Sequence, residues 1–326
     1  MQKWILKAVV QKLLSLLPGK HRLNFLFQRY VTKGVRLSDA YFQDRLTHLR
    51  QHLNSYATYK GGAPAGASVL ELGTGWYPVV PIGLFLAGAG QVLSVDISPL
   101  TDRERILTTL RQYQRARQRR VAGLPENEAR WSVLERILAN PEAFPEERLF
   151  KALHFDYQVV DARALPLAAN SIDLITSNNT FEHIYPEVLA AILHEFKRVL
   201  RSDGLMSHFV DMSDHFAHLD QSISIYHFLR FTDRQWRWID NSIQPQNRWR
   251  ITHYRNLYHR LGIPLTEELN RPGDLAALRR ESLAPAFAAL SESELVVSHS
   301  YLVSDFGEKW NGTNEGLAGC KPDPAG

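Results

Sequence analysis

The apolar run Val69-Leu70-Glu71-Leu72 ends in Gly73-Thr74-Gly75, and about twenty residues later Val92-Leu93-Ser94-Val95 ends in Asp96. Few folds accommodate that pairing. A short apolar run bounded by turn residues reads as a strand buried on both faces. Two spaced glycines after it allow a tight turn and close approach of the backbone to a ligand. A second such run, one helix further on and again ending in an acid, completes a strand-helix-strand unit with parallel strands. Ligands of such sheets bind beyond the carboxyl ends of the strands.

The alternation continues. Strands are expected at 68–72, 91–95, 157–160, 172–177 and 205–210, with helices at 79–89 and 187–200, the latter stopped by Ser202-Asp203-Gly204. Residues 294–303 read as one more strand, an antiparallel edge. This is an α/β chain with a doubly wound, mostly parallel sheet. Asp96 and Asp161 are about 65 positions apart, where a simple unit needs about 30, so 101–154 holds a helical insertion. Its Arg111, Arg115, Arg117, Arg119 and Arg120 read as a solvated helix face, or as contacts to an anionic substrate or acidic lipid. The expected organisation is a helical N-terminal extension (1–66), a catalytic domain (67–310) with the 101–154 insertion and a cap at 213–250, and a flexible tail (311–326).

In the extension, Ile5, Val9, Leu13 and Leu16 recur at helical spacing, interrupted by Lys3, Lys7 and Lys12. Those charges argue against a signal peptide and a spanning helix. Two readings stand: the helix packs on the domain or a partner subunit, or residues 1–17 make a peripheral membrane contact with Trp4 and the lysines at the headgroups. Pro18-Gly19 breaks it. A second helix, 41–59, carries Phe42, Leu46, Leu49 and Leu53 on one face, and the linker 61–66 follows. A net charge of +4 is too small to suggest a nucleic-acid partner. The single cysteine, Cys320, rules out a disulfide framework within one chain and fits a cytoplasmic protein, free or at the inner membrane face.

The turn narrows the ligand. A pyrophosphate cradle needs a third glycine, but Pro78 stands there, with Trp76 and Tyr77 crowding the turn. Glu71, just before the turn, suits a cationic or hydroxyl-bearing ligand. Asp96 is placed to accept from ribose hydroxyls and Asp161-Ala162 to meet an adenine amino group. Ser177-Asn178-Asn179-Thr180-Phe181-Glu182-His183-Ile184 follows the fourth strand.

These four segments, in this order, resemble the Rossmann-like S-adenosylmethionine-dependent methyltransferases of the methyltransferase type 11 group, over about 68–210 less the insertion. The resemblance implies S-adenosyl-L-methionine as cofactor, with Glu71, Gly73, Thr74, Gly75, Asp96, Ile97, Asp161, Ala162 and Asn178 as its contacts. Trp76-Tyr77-Pro78 departs from the usual pattern and bears on the pocket mouth.

Methyl transfer to oxygen needs a base as well as positioning. His183 is the first candidate, against a role in ordering the start of the next helix. Asp211-Met-Ser-Asp214-His215-Phe-Ala-His218-Leu-Asp220 lies past the fifth strand; it reads as a polar loop, a base oriented by a carboxylate, or a metal site. The catalytic candidates are His183, Asp211 and His215. No metal is expected, because His215 and His218 lack a closed-site spacing; a catechol-type acceptor held through a divalent ion is the variant that would need one. In 220–262, aromatic residues alternate with Arg230, Arg234, Arg237, Arg248 and Arg250, a core with a basic rim or an acceptor-binding surface. The acceptor reads as a small molecule, a glycan or a lipid-linked intermediate, methylated on oxygen. An NAD-dependent oxidoreductase and a non-catalytic cofactor-binding subunit are the competing readings.

Overall fold

The computed structural model describes residues 3–15, 37–242 and 244–307; Leu16, the Pro18-Gly19 break, Cys320 and the 311–326 tail lie outside them. Strands β1 (Ser68–Leu72), β2 (Gln91–Asp96), β3 (Phe155–Val159), β4 (Ile172–Asn178), β5 (Leu200–Asp211), β6 (Glu267–Pro272) and β7 (Val297–Asp305) form one sheet in the order β3-β2-β1-β4-β5-β7-β6. β1 to β5 are parallel; β7 runs antiparallel to both β5 and β6. The order reverses between β1 and β4, which puts the end of β1 at the switch point of the sheet.

Nine helices matter for the site: α1 (Lys3–Ser15), α2 (Asp39–Lys60), α3 (Val79–Leu86), α4 (Arg103–Gln118), α5 (Glu128–Ala139), α6 (Glu146–Ala152), α7 (Pro186–Val199), α8 (Asp233–Ile239) and α9 (Ile251–Arg260). On one face of the sheet, Phe42, Leu46 and Leu49 of α2 join the wholly buried α3 and the α4–α6 insertion in one core. A Cβ on Gly83 would lie 2.2 Å from Leu49 and 2.5 Å from the Tyr113 hydroxyl, so glycine is what lets α2 and α4 close on α3. On the other face, Leu189, Ile192, Leu193 and Phe196 of α7 pack with Ile251, Tyr254, Leu257 and Tyr258 of α9. The 111–120 arginines lie at the surface, where Arg117 pairs with Glu128 and Glu135 and Arg119 with Asp39.

Several boundaries move from expectation. β5 starts at Leu200 and runs through Ser202-Asp203-Gly204, with a register shift opposite Ile172 and Leu174; α7 stops at Val199 instead. The last strand is interior, not an edge, because β6 pairs outside it. β6 reads EELNRP and is largely exposed, so no apolar alternation announces it.

α1 docks on the cap. Its Trp4 amide donates to Asp220 Oδ2 (3.1 Å), and the Trp4 ring lies 4.9 Å from that of His227 and 5.9 Å from that of Phe231. Lys12 Nζ donates to the carbonyls of Arg237 (2.9 Å) and Asp240 (2.7 Å). Ala8 and Gln11 are buried, while Leu6, Val9 and Leu13 face outward. Among the described residues no helix is long and apolar enough to cross a membrane.

Candidate active site

The turn after β1 takes the conformation its glycines permit, φ +79° at Gly73 and +67° at Gly75. A Cβ on Gly73 would meet Thr180 Oγ1 at 2.3 Å, so this residue brings the β1 turn against the segment leaving β4. The Gly75 amide donates to Asp96 Oδ2 (3.2 Å) and the Ser98 amide to Asp96 Oδ1 (3.1 Å), locking the β1 and β2 ends together. Thr74 Oγ1 and Ser94 Oγ share a hydrogen bond of 2.5 Å.

A chain of buried side chains holds Glu71. The Ser207 hydroxyl lies 2.8 Å from His52 Nδ1, and His52 Nε2 lies 2.9 Å from Asn178 Oδ1, which can only accept. Nε2 therefore carries the proton and Nδ1 accepts from Ser207. Asn178 Nδ2 then donates to Glu71 Oε1 (3.2 Å). Burial pulls His52 down to about 3, keeping it neutral. Among the described residues Glu71 Oε2 has no partner, and burial pushes the Glu71 carboxyl up to about 8, against the pull of the Asn178 hydrogen bond. An orphaned buried carboxylate oxygen is what a cationic amino or sulfonium group would satisfy, so this turn fits a methionine-type cofactor. The pocket it faces is lined by Tyr41, Arg45, Gly73, Thr74, Gly75, Asn178 and Asn179, among others.

Arg45 comes from α2 and donates to Asn179 Oδ1 (2.6 Å), so the extension supplies part of the pocket wall. Ile97, past the end of β2 and next to Asp96 in the chain, is 72% exposed. Asp161 and Ala162 stand apart from the pocket lining. The Asp161 carboxylate is occupied by the Arg163 amide and guanidinium, and Ala162 is buried against the α7 core.

A second group of polar side chains converges past β4 and β5. His183 Nδ1 lies 2.7 Å from the Pro245 carbonyl, which can only accept; the proton is on Nδ1, and Nε2 presents its lone pair. Desolvation, with His215 adding to it, pulls His183 down to about 4. His215 and His183 meet edge to face at 4.8 Å between ring centroids. Asp211, the last residue of β5, accepts from the Ser213 amide (2.8 Å) and has His215 Nε2 and His299 Nε2 each 3.4 Å from its oxygens. Burial alone would raise the Asp211 carboxyl, but His215 and His299 outweigh it and hold it well below the usual carboxylate range. Glu182 is fully buried with neither carboxyl oxygen bonded, and burial with Asp211 nearby pushes it well up. Lys7 of α1 reaches the His215 carbonyl at 3.4 Å, so the N-terminal helix braces this loop.

The three catalytic candidates thus share one cluster with Glu182 and His299, which the sequence pattern did not single out. Arg45 and His52 were missed too; two histidines, His48 and His52, one turn apart on the apolar stripe of α2 were the available signal. The cap arginines divide. Arg250 is fully buried and donates to the carbonyls of Met212, Leu295 and Val297. Arg248 donates to those of Phe228 and Phe231 and pairs with Asp233. Both are structural anchors. A larger cleft of about 890 Å³, lined by Trp4, Arg230 and Arg280 among others, opens beside α1 and holds none of the strand-end residues.

Residues 136–207, from within α5 through β3, β4 and α7 into β5, match the family model described as a methyltransferase domain. The Glu71–Gly75 turn and Asp96 lie outside the match. No curated protein matches the sequence. Among solved structures, a protein of Pyrococcus horikoshii OT3 is similar at 15% identity, covering 86% of this chain and 97% of its own, with a TM-score of 0.45. The geranyl diphosphate C-methyltransferase of Streptomyces coelicolor A3(2), solved with Mg2+, geranyl diphosphate and S-adenosyl-L-homocysteine, is similar at 13% identity, covering 81% and 79%, with a TM-score of 0.43. An S-adenosylmethionine-dependent methyltransferase of Mesorhizobium loti is similar at 14% identity, covering 78% and 99%, with a TM-score of 0.40. The match over 136–207 is to part of a methyltransferase domain, and the sheet order and the glycine turn after β1 give the chain a Rossmann-like frame.

Proposed function

We propose that this methyltransferase acts on a hydroxyl oxygen of a small-molecule, glycan or lipid-linked acceptor. The observation that carries the reading is the cluster of Glu182, His183, Asp211 and His215 past β4 and β5, with Arg45 of the cofactor pocket close enough to act electrostatically on Glu182. When bound, S-adenosylmethionine supplies an electrophilic methyl group, whose transfer returns the C–S electron pair to sulfur and leaves the acceptor's proton to the protein. Glu71 takes the cofactor's cationic end and Asp96 its ribose hydroxyls, while Gly73 and Gly75 give it room. Asp161 and Ala162 mark the adenine side only once Arg163 yields. An oxygen nucleophile loses a proton in the reaction, and His183, Asp211 and His215 form the group that receives it. A nitrogen or carbon nucleophile with no proton to lose would not need so many buried, partnerless polar atoms.

α1 we read as a brace for the acceptor loop, since Trp4, Lys7 and Lys12 are all engaged with the cap. A membrane-surface role draws support from the outward Leu6, Val9 and Leu13, and sedimentation with anionic vesicles tests it.

The deciding experiment is calorimetric titration of the full chain with S-adenosylhomocysteine and with NAD, followed by incubation of labelled S-adenosylmethionine with cell extract. Binding of S-adenosylhomocysteine and appearance of an acceptor heavier by one CH₂ on oxygen are expected. Binding of NAD alone, or methyl appearing on nitrogen or carbon, would overturn the reading.

A further inference from the structure

The spacing within 211–220 argues against a metal, but the folded chain draws donors from two separate loops. Glu182 is 1% exposed, and among the described residues neither of its carboxyl oxygens has a hydrogen-bond donor. His183 is held by the Pro245 carbonyl with its Nε2 lone pair free, the outer-sphere arrangement that orients a ligating imidazole. His215 Nε2 has no hydrogen-bond partner among the described residues and lies 3.4 Å from Asp211 Oδ2. One ligand atom from each of Glu182, His183 and His215 lies within 4.8 Å of the other two.

We propose that Glu182, His183 and His215 bind one divalent transition-metal ion, and that this ion carries the acceptor hydroxyl, an inference that rests on the cluster being the acceptor side of the methyltransferase. One carboxylate and two imidazoles suit manganese, iron, cobalt or zinc better than the all-oxygen preferences of calcium and magnesium. An ion equidistant from three donors at that limiting spacing lies about 2.8 Å from each, so bonds of about 2.1 Å need each donor to close by roughly 0.7 Å. A proton on Glu182 would satisfy one imidazole and leave the other bare; an ion satisfies all three donors. Asp211 adds negative charge beside it, with Arg45 and Lys7 as the facing cations. Three protein ligands leave positions open for acceptor oxygens. A hydroxyl bound to such an ion would lose its proton more readily. The acceptor class this favours is one whose target hydroxyl has a neighbouring oxygen, such as a diol, a catechol or a hydroxy acid.

The test is titration of chelator-treated full-length protein with Co²⁺, followed by visible absorption, with S-adenosylhomocysteine binding measured in parallel by calorimetry. One equivalent should bind. Glu182→Gln and His215→Ala should each weaken binding by at least about 100-fold while S-adenosylhomocysteine still binds. His154→Gln, which removes an imidazole at the amino end of β3, should change nothing. No stoichiometric ion in the unaltered chain would overturn the proposal, whatever the variants do, and would point to a proton in its place. Equal affinity in both ligand variants would also overturn it. Ion binding without S-adenosylhomocysteine binding would uphold the metal site and remove the methyl-transfer reading instead.

Discussion

Replacing Glu71 with Gln isolates the buried carboxyl that faces the cofactor. Gln keeps the shape and the acceptor for Asn178 Nδ2 but cannot ionise. In the folded, ligand-free chain burial pushes Glu71 from 4.5 up to about 8. Between those values the unfolded state has released the proton and the folded state still holds it, so the wild-type chain loses stability as pH rises, by about 1.4 kcal/mol per unit. The gap is about 3.5 units, which makes the whole loss roughly 5 kcal/mol, reached near pH 8. Glu71→Gln escapes that loss. The stability difference between variant and wild type should therefore be smallest below pH 4.5, climb through pH 5, 6 and 7 in the variant's favour, and level off above pH 8. The new amide leaves a buried N–H unbonded, an offset of about 1–3 kcal/mol that does not change with pH; the slope is the diagnostic. Urea unfolding at each pH reads it. The same substitution should weaken S-adenosylhomocysteine binding, because the charge that meets the ligand's amino group is gone. A stability difference that is flat from pH 5 to pH 8 would refute the assignment of Glu71 as a buried carboxyl awaiting a cation.

Three further outcomes follow from the same geometry. His183→Ala and Asp211→Ala should each slow turnover by about 100-fold or more with S-adenosylhomocysteine affinity unchanged by calorimetry; full turnover in both would remove them from the reaction. Gly73→Ala places a Cβ 2.3 Å from Thr180 Oγ1 at φ +79°, a strain of about 1–3 kcal/mol, read as a lower urea midpoint together with weaker cofactor binding. Arg250→Met strips three carbonyls of their shared donor in a fully buried site, and should lower stability in urea unfolding by about 1–3 kcal/mol for each carbonyl left bare.

Local pattern carried much of the parallel sheet. Apolar runs between turn residues locate β1, β2, β4 and the second half of β5, since strands buried on both faces have no other composition open to them. Pattern failed where a strand is exposed. β6 is an edge of six residues with Pro272 at its end, and nothing in EELNRP separates it from a loop. At Ser202-Asp203-Gly204 the turn signal marks the register break within β5 and not its start: Leu200 pairs with Ile172 and Leu205 with Leu174, and the pairing with β7 begins only at Leu205.

The site divides along the same line. The Gly73–Gly75 turn, Glu71 and Asp96 lie at strand ends, and a parallel sheet brings all such ends to one edge whatever the rest of the chain does. The order of residues therefore determined which strand ends meet at the proposed cofactor pocket. What depends on distances across the chain is the rest: His52 on Asn178 and Arg45 on Asn179 in the proposed cofactor pocket, and His183 on Pro245 and His215 beside Glu182 and Asp211 in the proposed acceptor cluster. Those partners are separated by up to 134 positions, and hydrogen bonding and burial have no sequence period by which to find them. Only the tertiary structure decided which polar groups would be left in the interior without a partner, and those are the atoms that call for a cation, a hydroxyl or a metal.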